Sequence, residues 1–158
     1  MPKIDLSQVP RRTGSIYPEP YNSQMAGRSS QRLAAFAGLT QFGANLVRLE
    51  PGAKASLRHW HLKEDEFAII TKGSCTLVDD HGRYAMEVGD CAAFPAGDEN
   101  AHHFVNETDT PMEFLVIGTS HPDEEATYGD VDLKIKMRDG TAEFTRWDGT
   151  PFGRGTDK

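Results

Sequence analysis

Cysteine is nearly absent: Cys75 and Cys91 are the only two in 158 residues, and neither their spacing nor their neighbours make a thiolate metal site or a redox pair. Both are expected to be free thiols, because a chain of this length can bury a core without disulfides. Long apolar runs are also missing. A stretch such as Phe114 to Ile117 is far shorter than the roughly 20 residues of a membrane helix, and Met-Pro-Lys-Ile-Asp carries no apolar signal segment. The expectation is a soluble, cytoplasmic chain with no membrane partner. Positive charge is in deficit, with 17 Lys and Arg against 24 Asp and Glu, a formal charge of −7. No long basic run offsets it, so no nucleic-acid partner is expected.

What the chain does have is turns. It carries 15 Gly and 9 Pro among 37% hydrophobic residues, a balance that suits a β protein better than a helical bundle. The first thirty or so residues show neither helical nor strand periodicity and read as an arm over the surface. Arg32 to Phe36 suits one helical turn or a short strand equally. From Thr40 onward, short alternating or apolar runs recur, each closed by Gly, Pro or Asp. Strands are expected at Gln41–Leu49, Ser56–His61, Glu66–Thr71, Ser74–Asp79, Arg83–Val88, Cys91–Pro95, His102–Asn106 and Glu113–Gly118, mostly joined as tight hairpins. Val131, Leu133, Ile135 and Met137 then alternate with charged residues, and Asp139-Gly140 turns toward Glu143–Trp147. This C-terminal hairpin is expected outside the main body or across a dimer interface, with a polar tail after Pro151.

The chemistry concentrates in His59-Trp60-His61. Strand side chains alternate, so His59 and His61 share a face roughly 6.5 to 7 Å apart and can converge on one ion. Leu62 to Asp65 reads as a turn, after which Glu66 can open the next strand facing inward, with Ala68 and Ile70 on the same face. His102 and His103 are adjacent, so only one points inward: His102 if Phe104 does, His103 if Val105 does. Three imidazoles and one carboxylate suit one divalent ion such as Zn, Mn, Fe, Ni or Co, with positions left open for water or substrate.

The order Gly52, six residues, His59-x-His61, four residues, Glu66, six residues, Gly73 resembles the first motif of the cupin superfamily. Gly89, five residues, Pro95-x-Gly97, then His102, three residues and Asn106 resembles the second. The second motif has four residues, Asp98 to Ala101, between Gly97 and His102 where the family has two, and His103 follows directly. The resemblance spans residues 52 to 106 and, with flanking strands, about 45 to 118. It implies metal ligands at His59, His61, Glu66 and His102. It also implies an all-β fold, the cupin-type double-stranded β-helix or jelly-roll barrel. The whole chain, 1–158, is then one cupin domain, with a barrel core at about 40–120, an N-terminal arm at 1–39 and a C-terminal hairpin at 121–158. Arm and hairpin are expected to support a homodimer.

The length and the Phe94-Pro95-Ala96-Gly97-Asp98 to His102-His103 stretch are similar to small bacterial cupins labelled sugar-phosphate isomerases. That implies a metal-dependent, isomerase-like enzyme on a small oxygen-rich substrate such as a sugar phosphate. No inward arginine is visible to hold a phosphate, which counts against that substrate. An Fe(II)-dependent dioxygenase and a non-catalytic small-ligand-binding cupin are the alternatives. Gln41 and Asn45 could point into the barrel, and Tyr84 or Tyr128 could donate hydrogen bonds there. Arg58 and Trp60 fall on the face opposite the histidines, which suits packing or solvent. Glu64-Asp65 and Asp123-Glu124-Glu125 read as solvated turns, and no general base is identifiable.

Overall fold

The computed structural model describes residues 2–152, so the tail from Gly153 lies outside the described residues. Among the described residues the regular structure is almost wholly antiparallel strand, arranged in three sheets. The largest has six strands in the order β1 (Arg11–Thr13), β2 (Arg28–Arg32), β3 (Phe42–Leu49), β10 (Met112–Thr119), β5 (Glu66–Lys72) and β8 (Cys91–Phe94). A four-stranded sheet runs β13 (Thr141–Thr145), β12 (Lys134–Arg138), β11 (Asp123–Tyr128) and β4 (His59–His61). The third runs β7 (Arg83–Glu87), β6 (Ser74–Val78) and β9 (His103–Val105).

Strand alternation sorts each inward face into two halves. Val47 and Leu49 on β3, Met112 and Phe114 on β10, and Ile70 on β5 are buried together and pack against Leu77 and Phe104 from the three-stranded sheet. Farther along the same face stand Asn45, Gly43, Val116, Gly118 and Glu66, and there the sheets enclose a cavity of about 860 Å³. Core and cavity are therefore two ends of one continuous surface. A second cluster of Met25, Leu57, Tyr128 and Leu133, with Tyr17, Ile135 and Phe144 against it, holds the N-terminal segment to the four-stranded sheet.

Several expectations need correction. Strands do occur before Thr40: β1 and β2 extend the large sheet, and α1 (Leu33–Phe36) is the one helical turn that follows. They escape a hydrophobic reading because Arg28-Ser29-Ser30-Gln31-Arg32 has no apolar residue; Ser29, Ser30 and Gln31 are buried there, Ser29 and Gln31 with polar contacts. Arg11 donates to the Ser29 hydroxyl and the Gln31 side-chain carbonyl, and Gln31 donates to the Leu6 and Val9 carbonyls. Between Leu49 and Met112 only β6–β7 is a hairpin of adjacent strands, the other connections crossing between sheets, because Gly and Asp turn signals do not tell a hairpin from a crossing. Asp123–Tyr128 is a strand rather than a solvated turn, with Glu124, Ala126 and Tyr128 buried. The C-terminal hairpin does not sit outside. It completes the sheet containing β4, and Ile135, Met137 and Ala142 line the cavity.

Candidate metal centre

The two histidines of β4 reach the cavity from one wall and Glu66 reaches it from the facing sheet. β4 is paired along both edges. Its residues pair with Ala126, Thr127 and Tyr128 of β11, and His59 exchanges backbone hydrogen bonds with His102 at 3.2 and 3.0 Å. His59, His61 and Glu66 each bring a ligand atom within 4.8 Å of the other two, and His102 joins them through Glu66. His59 Nε2 lies 3.2 Å from His61 Nε2, His61 Nε2 lies 3.1 Å from Glu66 Oε2, and His102 Nε2 lies 3.2 Å from Glu66 Oε1. Phe104 is buried in the core, and His102, 1% exposed, takes the inward place beside Glu66. His103 instead directs Nδ1 to the Ser56 carbonyl at 2.8 Å.

Two of the rings are held from behind. His59 Nδ1 is 2.9 Å from the Leu57 carbonyl, which can only accept, so Nδ1 carries the proton and Nε2 presents a lone pair to the cluster. Phe94 stacks flat on His102, centroids 3.4 Å apart and planes within 2°, fixing the ring plane. His61 Nδ1 is buried with no hydrogen-bond partner, and Glu64 and Glu124 bring carboxylate oxygens within 4.8 Å of a ring nitrogen of His61 and of each other. Glu124, 4% exposed, accepts from the amides of Leu62, Lys63 and Glu125 at 2.7 to 3.1 Å, fixing the turn that joins β4 to β5. Glu64 accepts from the His121 amide at 2.8 Å. Neither carboxylate is a solvated turn residue, because β11 lies across the β4–β5 turn.

The electrostatics follow from crowding and burial. Desolvation, reinforced by the neighbouring His61 and His102, pulls His59 down to about 3. Burial alone would raise Glu66, but the His102 and His61 contacts outweigh it and hold the carboxyl below its usual range. Burial alone would also lower His61, yet Glu66 beside it leaves it above an ordinary histidine. The donors are three ring nitrogens and one ionised carboxylate, with no thiolate. That chemistry fits a borderline divalent cation, and a cation removes the conflict of the His59 lone pair facing a second ring nitrogen.

Other candidates separate cleanly. Asn45 and Tyr128 line the cavity, whereas Gln41 and Tyr84 do not. Arg58 ion-pairs with Asp80 and Asp130 and donates to the Ala101 carbonyl at 3.0 Å, a packing role. The sequence reading missed Glu64, Glu124, Tyr17 and three arginines, Arg12, Arg28 and Arg32, all on the cavity wall. Glu124 had a legible signal, since Ala126 and Tyr128 follow it at spacing two. Inward arginines therefore exist, against the expectation, because the strand carrying two of them has no apolar pattern from which to read its faces.

The cupin domain family profile matches residues 45–118. A crystal structure of a sugar phosphate isomerase from a cupin superfamily, from Silicibacter pomeroyi, is 56% identical over 96% of each chain with a TM-score of 0.94. This chain belongs to the cupin superfamily. The cupin fold is also shared with a protein from Acidithiobacillus ferrooxidans, 24% identical over 84% of each chain with a TM-score of 0.74. It recurs in the polyketide cyclase RemF from Streptomyces resistomycificus, 21% identical over 77% of this chain and 80% of that one with a TM-score of 0.61. No curated protein matches this cupin. Among the described residues, no helix is long and apolar enough to cross a membrane.

Proposed function

We propose that this cupin is a metal-dependent, isomerase-like enzyme acting on a small hydroxy-carbonyl substrate such as a sugar phosphate. The observation that carries the reading is the convergence of His59, His61, Glu66 and His102 on the wall of an open cavity of about 860 Å³. The 56% identity to the Silicibacter pomeroyi isomerase supports it. Those four residues would hold one divalent ion, Zn, Mn, Fe or Ni. When bound, the ion supplies Lewis-acid stabilisation of negative charge developing on a substrate oxygen.

The chain's own residues do the rest. Leu57 and Phe94 hold His59 and His102 in the orientation that directs their Nε2 atoms at the cluster. Tyr128 is buried 6.0 Å from the His59 ring between centroids, and burial raises its phenol so that it stays protonated as a hydrogen-bond donor. Glu64 lines the cavity outside the donor set, and burial raises its carboxyl, so we assign it the proton transfer that isomerisation needs. Glu124, with its oxygens engaged by amides, positions the β4–β5 turn and with it His61.

The test is elemental mass spectrometry on protein purified without an affinity tag, beside a His59→Ala/His61→Ala double variant, followed by aldose and ketose phosphates in D2O. Near-stoichiometric metal lost in the variant, with deuterium entering next to the carbonyl, supports the reading. Protein that neither carries nor takes up metal overturns it, and tightly held iron without isomerisation redirects it to oxygen chemistry.

We also propose a homodimer. On the outward face of the large sheet, Ala44, Ile117 and Phe67 form one cross-strand row, and Leu46, Leu115 and Ile69 the next, an apolar surface centred on β10 that a second copy can cover. Light scattering should give twice the 17.5 kDa chain mass, halved by Ile117→Glu.

A further inference from the structure

The cavity wall opposite the histidines carries three arginines. On β2, Arg28, Ser30 and Arg32 share the inward face, and Arg12 of β1 pairs with Ser30, which sets it between the two on that same face. Diagonal neighbours on an antiparallel pair lie roughly 7–8 Å apart, and like charges so placed repel. Arg48, Arg58, Arg83, Arg138 and Arg146 each meet a carboxylate. Arg12, Arg28 and Arg32 meet none among the described residues, in a chain where acids outnumber bases 24 to 17. Arg28 is anchored by its Nε, which donates to the Ala55 carbonyl at 2.6 Å, and its terminal nitrogens have no protein acceptor among the described residues. Burial also disfavours the charge on Arg28.

The arrangement has a measure. β2 is separated from β5, which carries Glu66, by β3 and β10. Three interstrand steps of roughly 4.8 Å make about 14 Å of backbone separation. With an arginine extended from one side and the His–Glu cluster from the other, the gap suits a chain of a few carbons rather than a polymer.

We propose that Arg12, Arg28 and Arg32 recognise the anionic end of the substrate, a phosphate or carboxylate, while the hydroxyl and carbonyl oxygens at its other end reach the His–Glu cluster. This rests on the reading of the cavity as the substrate site and adds the element that selects the substrate. The guanidinium fork matches both oxyanions. The anion removes a like-charge conflict that the protein leaves unresolved, and the neutral form of the same sugar gains nothing from this wall.

Calorimetric titration of the metal-loaded protein with D-fructose 6-phosphate, D-fructose, inorganic phosphate and D-gluconate tests the proposal. The sugar phosphate should bind at least about 10-fold tighter than the neutral sugar, and Arg12→Gln/Arg32→Gln should abolish that margin with metal content unchanged. Both replaced side chains are exposed, and Arg28→Lys in a second variant guards against a folding artefact. An arginine-dependent preference for gluconate also supports the site and makes the terminus a carboxylate. Inorganic phosphate bound by the His59→Ala/His61→Ala protein, and lost on adding the arginine substitutions, shows that the anion does not sit on the metal. Equal affinity for sugar and sugar phosphate, or a preference that survives in both arginine variants, overturns the proposal. If metal and turnover persist while the arginines prove irrelevant, this inference fails alone. If anion binding needs the arginines but no metal is held, the enzymatic reading fails and the anion site stands.

Discussion

His102→Gln and His103→Gln form a matched pair, since the two rings are adjacent in sequence and differ in what they face. His102 Nε2 lies 3.2 Å from Glu66, whereas His103 Nδ1 is committed to the Ser56 carbonyl at 2.8 Å. Four-donor zinc sites bind with apparent free energies of roughly 10–16 kcal/mol, so one donor of four is worth about 3 kcal/mol. That corresponds to a loss of affinity of roughly 100-fold for His102→Gln. His103→Gln removes no donor from the cluster and should change affinity by less than about 3-fold, under 1 kcal/mol. The assay is a competition titration of the stripped protein against a fluorescent zinc chelator, with thermal melts to show that both variants fold. A His103→Gln protein that loses as much affinity as His102→Gln refutes the assignment, as does a His102→Gln protein that binds like the parent.

Three further outcomes are expected. Gly73 has φ +70°, and a Cβ there would lie 2.9 Å from the Pro111 carbonyl oxygen, so Gly73→Ala should cost at least about 1–2 kcal/mol, read from urea unfolding at constant slope. Cys91 is exposed while burial pushes the Cys75 thiol up to about 12, so a thiol reagent at pH 8 should label one cysteine in the native protein and two after unfolding. In metal-free protein His59, held at about 3, stays neutral where an unfolded histidine takes up a proton, so its stability contribution is full above about pH 6.5 and falls with acidification. Between pH 6.5 and 5 the loss is about 1.5 kcal/mol, a fall of roughly 3–6 °C in Tm. His61, raised by Glu66, acts in the opposite sense, so the readout is the difference from His59→Gln, which should lack the His59 component; identical pH profiles would sink the argument.

How much of this was legible depended on whether burial left an apolar trace. β3, β5, β6 and β10 carry short runs of Val, Leu, Ile and Phe that mark them as strands, and parity along β5 placed Glu66 on the face of Ala68 and Ile70, where it stands. The choice between His102 and His103 stayed open in the sequence because it turns on whether Phe104 or Val105 faces inward, a tertiary fact. β2 buries serine and glutamine, and β11 buries a glutamate, so both look like surface to a reading that equates polar with solvated. Arg28 and Arg32 were lost with β2, Arg12 with the equally polar β1, and Glu124 with β11, since a residue has no face until its strand is known.

The carboxylate of Glu124 ties β11 to the turn between His61 and Glu66, and β11 also supplies the backbone partners of β4. Both lie beyond residue 118, where the match to the family profile ends. A fragment cut at the family's own boundaries would keep every one of the four donors and lose the scaffold that aims two of them. The smallest piece of this protein expected to keep the proposed centre is therefore larger than the smallest piece that can be recognised, and truncation or grafting should take its endpoints from the hydrogen bonds rather than from the motif.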